Sequence, residues 1–108
     1  MAPVHAVAFA YIKPGKTDEF AALLNGMSEK VHALEPGIRN YYNFKVPDED
    51  MFVIVESYED EAALQYHGET PHYHEYLEKA MQLFAKPLSF KINVKIPENL
   101  IPDWSSLQ

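Results

Sequence analysis

The sequence predicts one α+β domain whose elements follow one another in the order β-α-β-β-α-β. Three observations support this prediction: two segments are apolar in both alternating registers, two others alternate between apolar and polar residues, and helical stripes separate them. With 108 residues the chain has the length of a single domain, and its 47% hydrophobic residues indicate a packed core rather than a disordered chain.

The first strand and the first helix are predicted between the N-terminus and Leu34. Residues 4–12 are apolar in both registers, which is typical of a strand covered on both faces. A Pro-Gly turn ends this strand, and Thr17 is expected to cap a helix that runs to Leu34, just before a second Pro-Gly pair. The apolar stripe of this helix comprises Phe20, Leu23, Leu24, Met27, Val31 and Leu34.

The second strand is predicted at residues 38–46, where apolar and polar side chains alternate. This alternation places Ile38, Tyr42 and Phe44 on one face and polar residues on the other. One face of this strand is therefore expected to meet water.

The remaining two strands complete a four-stranded antiparallel sheet. Residues 51–58 are apolar in both registers apart from Glu56 and Ser57, whereas residues 88–96 alternate. The two doubly apolar strands are therefore expected at the centre of the sheet and the two alternating strands at its edges. A ferredoxin-like sheet in the spatial order 4-1-3-2 meets this requirement.

Two helices are predicted between the third and fourth strands. Asp60 can cap a short helix that runs to about Tyr66, and Thr70 followed by Pro71 predicts a longer helix to about Ala85. The buried stripe of the longer helix comprises Tyr73, Tyr76, Leu77, Ala80 and Phe84.

Helices on one face of the sheet leave the other face to be covered, and a second copy of the chain is the simplest cover. A homodimer is therefore expected. Residues 1–96 make up the predicted domain, and residues 97–108 a C-terminal tail that carries Leu100, Ile101 and Trp104 among prolines. This tail is too apolar for a free terminus and is expected to pack on the partner subunit.

Charge and cysteine content exclude several classes of function. The formal charge is −7, and the sequence contains no cluster of basic residues. Nucleic acid and membrane surfaces are therefore disfavoured as partners. The chain has no cysteine, so disulfides, thiolate nucleophiles and cysteine-held metal centres are excluded. No apolar segment approaches the ~20 residues that span a bilayer, and a cytoplasmic location is the expectation.

The stretch from Glu56 to Tyr73 combines a strand that ends in Val-Glu-Ser-Tyr, an acidic cap, an Ala-Leu helix, a histidine and then Thr-Pro-His-Tyr. Together with the Pro-Gly before the first helix and the Glu-Pro-Gly ahead of Tyr41, this order resembles the antibiotic biosynthesis monooxygenase (ABM) family, from Val4 to Ile96. The resemblance implies a dimeric α+β barrel, in which two sheets pack together and each subunit holds a substrate pocket between sheet and helices. Members of the family include monooxygenases that need no metal or flavin, haem-degrading enzymes and isomerases of small phosphorylated ketones.

Two of these branches fit the sequence poorly. The haem-degrading members use an asparagine on the first strand, and a tryptophan and a histidine in the second helical region. The matching positions here are Ala8, His67 and Leu77, so haem degradation is not expected. The isomerases need basic side chains to receive a phosphate, and the pocket segments of this chain have few.

His67 and Glu56 are the candidate catalytic residues. His67 matches the family position, and imidazole can transfer protons near neutral pH; the alternative is that it only caps its helix by bonding a carbonyl. Glu56 shares its register with Phe52 and Ile54, so a carboxylate is expected on an otherwise apolar side. It is a candidate base or orienter of His67, with an ion pair to Arg39 or a lysine as the structural alternative.

Several aromatic side chains are candidates to line the pocket and to stack on a planar substrate or hydrogen-bond to it, with burial in the core as the alternative. The candidate pocket residues are Tyr41, Tyr58, Tyr66, His72, Tyr73 and Tyr76. No metal site is expected, because His72 and His74 stand two apart on a helix and point to different faces. No flavin or haem is expected either.

The favoured interpretation is a cofactor-independent monooxygenase that oxidises a small apolar cyclic metabolite such as a quinol, phenol or polyketide, with molecular oxygen as co-substrate. In such chemistry the substrate anion itself reduces oxygen, so the protein needs only to deprotonate it, hold it and exclude water. Two alternatives stay open: a non-catalytic small-molecule-binding or stress-response dimer, and an isomerase of a small ketone.

Overall fold

A computed structural model describes residues 2–107, with the backbone alone at positions 99 and 106. Position 108 of the predicted tail lies outside the described residues. The described elements are β1 Val4–Tyr11, α1 Thr17–Leu34, β2 Ile38–Lys45, β3 Met51–Tyr58, α2 Glu61–Glu69, α3 Pro71–Ala80 and β4 Ser89–Ile92, followed by 3-10 turns at Glu98–Leu100 and Ser105–Leu107. None of the helices in this part of the chain is long and apolar enough to cross a bilayer.

The four strands form one antiparallel sheet in the order β2-β3-β1-β4, which confirms the predicted ferredoxin-like arrangement. The central strands β1 and β3 are covered by the helices on one face, called here the inner face. Ala6, Ala8 and Ala10 of β1 lie buried on this inner face. Because these side chains are small, they leave space between the sheet and the helices.

A β-bulge lies at the start of β2. Arg39 has no cross-strand partner in β3, although Ile38 and Asn40 on either side of it both pair. The extra residue reverses the alternation, so that Tyr41 lies on the inner face and Tyr42 on the opposite face. The prediction that Ile38 and Tyr42 share one face is therefore wrong.

The face of the sheet away from the helices, called here the outer face, is apolar. Tyr42 and Phe44 are 53% and 51% exposed on it, and the apolar side chains of β1 and β3 beside them are half-buried. The apolar residues of the outer face are Val7, Phe9, Tyr11, Tyr42, Phe44, Met51, Val53 and Val55. No described element of this chain covers them.

The core forms between the inner face and helices α1 and α3. The ring of Phe20 lies 5.1 Å from that of Phe52 and 5.7 Å from that of Phe84, so one α1 side chain contacts both the sheet and the segment after α3. Leu34 is 56% exposed, and the predicted α1 stripe therefore ends before it. The buried residues of α1 are Phe20, Leu24, Met27 and Val31.

Three ends of helices differ from the prediction. Helix α2 runs to Glu69 rather than about Tyr66. The other two differences have backbone causes. The amide of Phe20 donates to the carbonyl of Lys16, so Thr17 is the first residue of α1 rather than its cap. Helix α3 ends at Ala80 rather than near residue 85. After Ala80 the backbone pairs with the residues that follow β1, because the amide of Lys13 donates to the carbonyl of Leu83 at 2.9 Å.

Strand β4 is shorter than the predicted range 88–96. The side chain of Asn93 accepts a hydrogen bond from the amide of His5 at 2.9 Å and donates one to the carbonyl of Pro3 at 3.2 Å. The amide of Asn93 still donates to the carbonyl of His5 at 3.2 Å, but regular pairing with β1 ends at Ile92, and the side chain of Asn93 makes the remaining bonds to this part of β1 and the residues before it.

The tail packs on its own chain. Leu100 is buried in a cluster with Val4, Tyr58 and Leu64, and the ring of Trp104 lies 6.0 Å from that of Phe84. A contact between the tail and a partner subunit stays a prediction.

Candidate active site

A cavity of about 370 Å³ lies between the inner face, helices α2 and α3, and the tail. Its position agrees with the pocket expected between sheet and helices. The polar side chains on its wall include Glu56, His67 and four tyrosines, and the described lining contains no lysine and no arginine. Its apolar lining comprises Ala8, Ile54, Leu64, Leu77, Phe84, Leu88, Phe90, Ile92, Ile96, Leu100, Ile101, Pro102 and Trp104.

Helix α2 places His67 on the wall of this cavity. Asp60 caps the helix, as predicted, by accepting a hydrogen bond from the amide of Ala63 at 2.9 Å. At the other end Thr70 donates to the carbonyl of His67 at 2.8 Å and accepts from the amide of Tyr73 at 3.3 Å. Thr70 therefore ends α2 and begins α3 at once, which fixes the last turn of α2 where His67 lies.

The ring of His67 is buried and held from one side by a carboxylate. Its Nδ1 lies 2.9 Å and 3.0 Å from the two carboxylate oxygens of Glu35. Tyrosine rings surround it, with centroids at 5.0 Å for Tyr73, 5.6 Å for Tyr58 and 5.9 Å for Tyr41. The capping alternative is not observed, because the partner of the ring is a carboxylate. Among the described residues Nε2 has no hydrogen-bond partner.

Glu35 is the site residue that the sequence analysis missed. It is only 3% exposed, and its carboxylate contacts both His67 and, at 2.5 Å, Nε2 of His72. Burial alone would raise the pKa of Glu35, but the hydrogen bonds and charges of the two histidines outweigh burial and lower the pKa below its ordinary value. Glu35 is therefore ionised at neutral pH.

One signal in the sequence could have identified Glu35. It is the C-cap residue of α1, where the partial negative charge of the helix end disfavours a carboxylate. A carboxylate at that position, followed directly by Pro-Gly, is stabilised by a positive or hydrogen-donating partner. Here His67 and His72 are both such partners.

His72 does not line the cavity, contrary to the prediction. It is buried in the first turn of α3, donates to Glu35 from Nε2, and borders a second, smaller cavity between α1 and α3. Its place is thus behind His67, on the far side of the Glu35 carboxylate from the main cavity.

Glu56 projects from β3 into the main cavity, on the inner face as predicted. The hydroxyl of Tyr58 donates to its Oε1 at 2.5 Å, and none of its described contacts is an ion pair with Arg39 or a lysine. Burial raises the pKa of Glu56, and the nearby His67 ring and the Tyr58 hydroxyl offset this effect only in part. Glu56 thus holds its proton more tightly than an exposed glutamate.

Four of the predicted tyrosines line the cavity, and the fifth does not. Burial raises the pKa of Tyr73 to about 12, and it also raises the pKa values of Tyr41, Tyr58 and Tyr76, so all four are neutral hydrogen-bond donors near pH 7. Tyr66 is 52% exposed on the opposite side of α2, one position before His67, and the prediction for it is wrong. The described residues contain no group of three side chains with metal-binding geometry.

Comparison with known proteins identifies relatives along most of the chain. Residues 3–79 match the family described as antibiotic biosynthesis monooxygenase. YcnE of Bacillus subtilis is 35% identical over 82 residues, which are 75% of this chain and 85% of that protein. A Synechocystis protein, sll1783, is 37% identical over 91 residues, and the match spans 83% of this chain but only 61% of the longer relative.

Solved structures agree with this result. The structure of Rv0793 from Mycobacterium tuberculosis is 27% identical, covers 90% of this chain and 98% of its own, and superposes with a TM-score of 0.79. A structure from Caulobacter crescentus, at 23% identity and a TM-score of 0.82, covers 89% of this chain and 92% of its own and supports the fold. A match over residues 3–79 together with a 35% identical relative is decisive, and this chain belongs to the antibiotic biosynthesis monooxygenase (ABM) family.

Proposed function

We propose that this protein is a cofactor-independent monooxygenase that oxidises a small, largely apolar cyclic metabolite carrying an acidic hydroxyl or C–H group, such as a quinol, a phenol or a polyketide. The observation that carries the proposal is the position of His67 on the wall of an apolar cavity, with Nδ1 held by the Glu35 carboxylate. A histidine held in this way can offer Nε2 to a bound molecule as a base.

The chemistry assigned to this cavity has a balanced course. Nε2 of His67 takes a proton from the substrate. The substrate anion gives an electron pair to molecular oxygen, so that a carbon–oxygen bond forms, and the resulting peroxide takes the proton back from His67 and becomes a hydroperoxide. The terminal OH of the hydroperoxide leaves with the remaining hydrogen of the same carbon as water, and one oxygen atom stays in the product as a carbonyl. The substrate supplies all four electrons that reduce oxygen, so the protein contributes the base, the position of the substrate and the exclusion of water.

The lining of the cavity supports an uncharged substrate. Phosphates and carboxylates are bound in proteins by Arg, Lys or backbone amides, and the described lining has neither basic side chain. An anionic ligand would also face Glu56. This argues against the isomerase alternative, whose substrate carries a phosphate. Four neutral tyrosine hydroxyls and the indole of Trp104 suit a flat ring with one or two polar substituents.

The decisive experiment is oxygen uptake with a panel of quinols, phenols and anthrones, comparing the wild type with His67→Asn. Asparagine keeps a donor near the position of Nδ1 and therefore a partner for Glu35, while it removes the base. We expect the rate to fall by about a hundredfold or more, the usual contribution of a positioned base. Tight binding of panel members without oxygen uptake by the wild type would assign the cavity to a carrier instead.

His67→Ala is a poorer test than His67→Asn. A lightly packed histidine at a helix end would cost about 1 kcal/mol to remove, the usual value of one hydrogen bond. His67 is 4% exposed and one of two partners of a buried carboxylate, so its removal leaves Glu35 partly unsatisfied. The cost of His67→Ala is therefore expected to exceed that of His67→Asn.

The assembly proposed with this function is a homodimer joined through the outer face. Eight apolar side chains of β1, β2 and β3 lie on that face, and two of them, Tyr42 and Phe44, are about half exposed. A patch of this kind on a small domain is typical of a surface that pairs with another protein chain.

A further inference from the structure

Behind the cavity wall lies a buried cluster, His67–Glu35–His72, in which one carboxylate receives hydrogen bonds from two imidazole rings. The side chain of Glu35 is 1% exposed and those of His67 and His72 are 5% and 7% exposed. Only His67 of the three reaches the main cavity. Any effect of Glu35 and His72 on the chemistry is therefore exerted through His67.

We propose that Glu35 is the positioning residue for His67, and that His72 in turn positions Glu35. This inference rests on the proposed function, in which His67 takes the substrate's proton. The carboxylate holds the proton of the neutral ring on Nδ1, which leaves Nε2 as the basic nitrogen. It also lies against the ring when the ring becomes positively charged.

The contact geometry supports a stabilising role for the carboxylate. Nδ1 of His67 is within 3.0 Å of both oxygens of Glu35, so a full negative charge lies next to the ring in a water-poor site. An opposite charge at this distance in a buried site favours the charged form of its partner. The end of α1 adds its partial negative charge on the same side, because Glu35 is the C-cap residue of that helix.

His72 has a separate part in the cluster. One carboxylate held by a single ring could rotate about its own bonds, but the second bond, from Nε2 of His72 to Oε2, fixes its orientation. His72 is itself fixed in the first turn of α3, directly after the Thr70 cap. The direction of the His67 ring therefore depends on α1, α2 and α3 together.

Other ionisable groups also face the His67 ring and enter any pH dependence. Glu56 is charged only above its raised pKa, and the phenols are neutral near pH 7. Glu35 is therefore the group expected to carry a full charge beside the ring throughout the neutral range. The groups facing His67 are Tyr41 from β2, Glu56 and Tyr58 from β3, Tyr73 and His72 from α3, and Glu35 after α1.

The test is Glu35→Gln, an isosteric change that removes the charge. We expect kcat to fall by about a hundredfold or more with KM changed by less than about threefold, because the lost interaction strengthens only when the ring is charged. The matched control is Glu78→Gln, the same change at an exposed position of α3, which should alter neither quantity.

A second readout does not depend on turnover. Nitrogen NMR of the His67 ring reports which ring nitrogen carries the proton of the neutral ring, and Glu35→Gln should weaken the preference for Nδ1. If this preference weakens while the wild type oxidises no member of the panel, the positioning role stands and the proposed reaction is wrong. If the proton stays on Nδ1 to the same extent in a folded Glu35→Gln variant, the positioning role is wrong.

Variants of His72 keep the inference testable if Glu35→Gln does not fold. Gln at position 72 can place an amide donor near Nε2 of the histidine, whereas Phe keeps the ring shape without a donor. We expect His72→Phe to lower kcat by about tenfold, because the Glu35 carboxylate loses the bond that fixes its orientation. His72→Gln should recover most of that loss. Equal kcat values in the two variants would overturn the role of His72.

Discussion

Gly68 of α2 lies directly beneath the side chain of Leu100 in the tail, so close that a methyl group on Gly68 would overlap Cδ2 of Leu100. Leu100 is buried and forms part of the cavity wall. The absence of a side chain at one position of α2 is therefore what allows the tail to close over the cavity.

Gly68→Ala is expected to push the tail away from α2. The cost should be about 1–3 kcal/mol, the usual penalty of overpacking, even though alanine favours a helix more than glycine does. Hydrogen exchange at the amides of Leu100 and Ile101, which close the 3-10 turn at Glu98–Leu100, should become faster. Denaturant unfolding and exchange measured by mass spectrometry give the two values.

Gly26→Ala is the matched control for this change. Gly26 also lies inside a helix, but apart from its chain neighbours and the backbone of its own helix, no atom is within 4 Å of the position that its Cβ would take. Alanine there should stabilise the protein by about 0.5–1 kcal/mol through helix propensity. Leu100→Ala added to Gly68→Ala should restore slow exchange at least in part, and a failure of this rescue would argue against the direct overlap.

Phe44→Glu is expected to make the protein monomeric if the proposed homodimer forms through the outer face. Phe44 is about half exposed beside Val53 on the outer face, and in a two-fold interface each substitution occurs twice. Light scattering at micromolar concentration should report twice the chain mass of 12.4 kDa for the wild type and a single chain for the variant. Tyr66→Glu, at an equally exposed aromatic residue on α2, should stay dimeric. A monomeric wild type would contradict the prediction.

The two buried glutamates are expected to affect stability with opposite dependence on pH. Burial raises the pKa of Glu56, so the stability linked to this group is complete in acid and is lost as pH rises through the raised pKa. Glu56→Gln should therefore be more stable than the wild type at neutral pH, and the difference should vanish toward acid. Urea unfolding across the range from about pH 4 to pH 8 measures it.

For Glu35 the sign is reversed. The histidines lower its pKa, so its contribution is present above the ordinary glutamate pKa and is lost as pH falls through the lowered value. Glu35→Gln should be less stable than the wild type at neutral pH, and the two should converge in acid. The same pH dependence for both variants would contradict the assigned environments.

The purified protein is expected to be colourless and to hold no stoichiometric metal, flavin or haem. The described residues offer no group of three ligands with metal-binding geometry. Elemental analysis and an absorption spectrum test this directly, before and after dialysis against a chelator. About one transition metal per chain, retained through dialysis, would require a different reaction.

The strands and their order could be predicted because burial leaves a local trace in the sequence. β1 and β3 are apolar in both registers because alternate side chains pack under the helices, and the side chains between them belong to the apolar outer face. The ends were less predictable. A helical period continues past Ala80, but the backbone there pairs with β1, and side-chain bonds of Asn93 shorten β4. These events depend on residues distant along the chain.

The candidate site divides in the same way. His67, Glu56 and four tyrosines of the cavity could be predicted because their positions within their own strands and helices indicate that they face the cavity. The position of Glu35 at the end of α1 marks it as an unusual carboxylate, but it does not identify His67 as its partner, since the two residues are 32 apart in the chain and meet only in the folded protein. The prediction assigned the role of orienter to Glu56, whereas the observed hydrogen-bond partner of the ring is Glu35.

The bulge in β2 also determines where this chain can change its length. Arg39 has no cross-strand partner, so a deletion there leaves every other pair of β2 and β3 in register. A deletion of Asn43 would instead turn Phe44 inward and Lys45 outward, exchanging an apolar side chain for a charge on the outer face. Among related chains, alignment gaps in this strand are therefore expected at the bulge, because a deletion there leaves the side chains of the inner and outer faces unchanged.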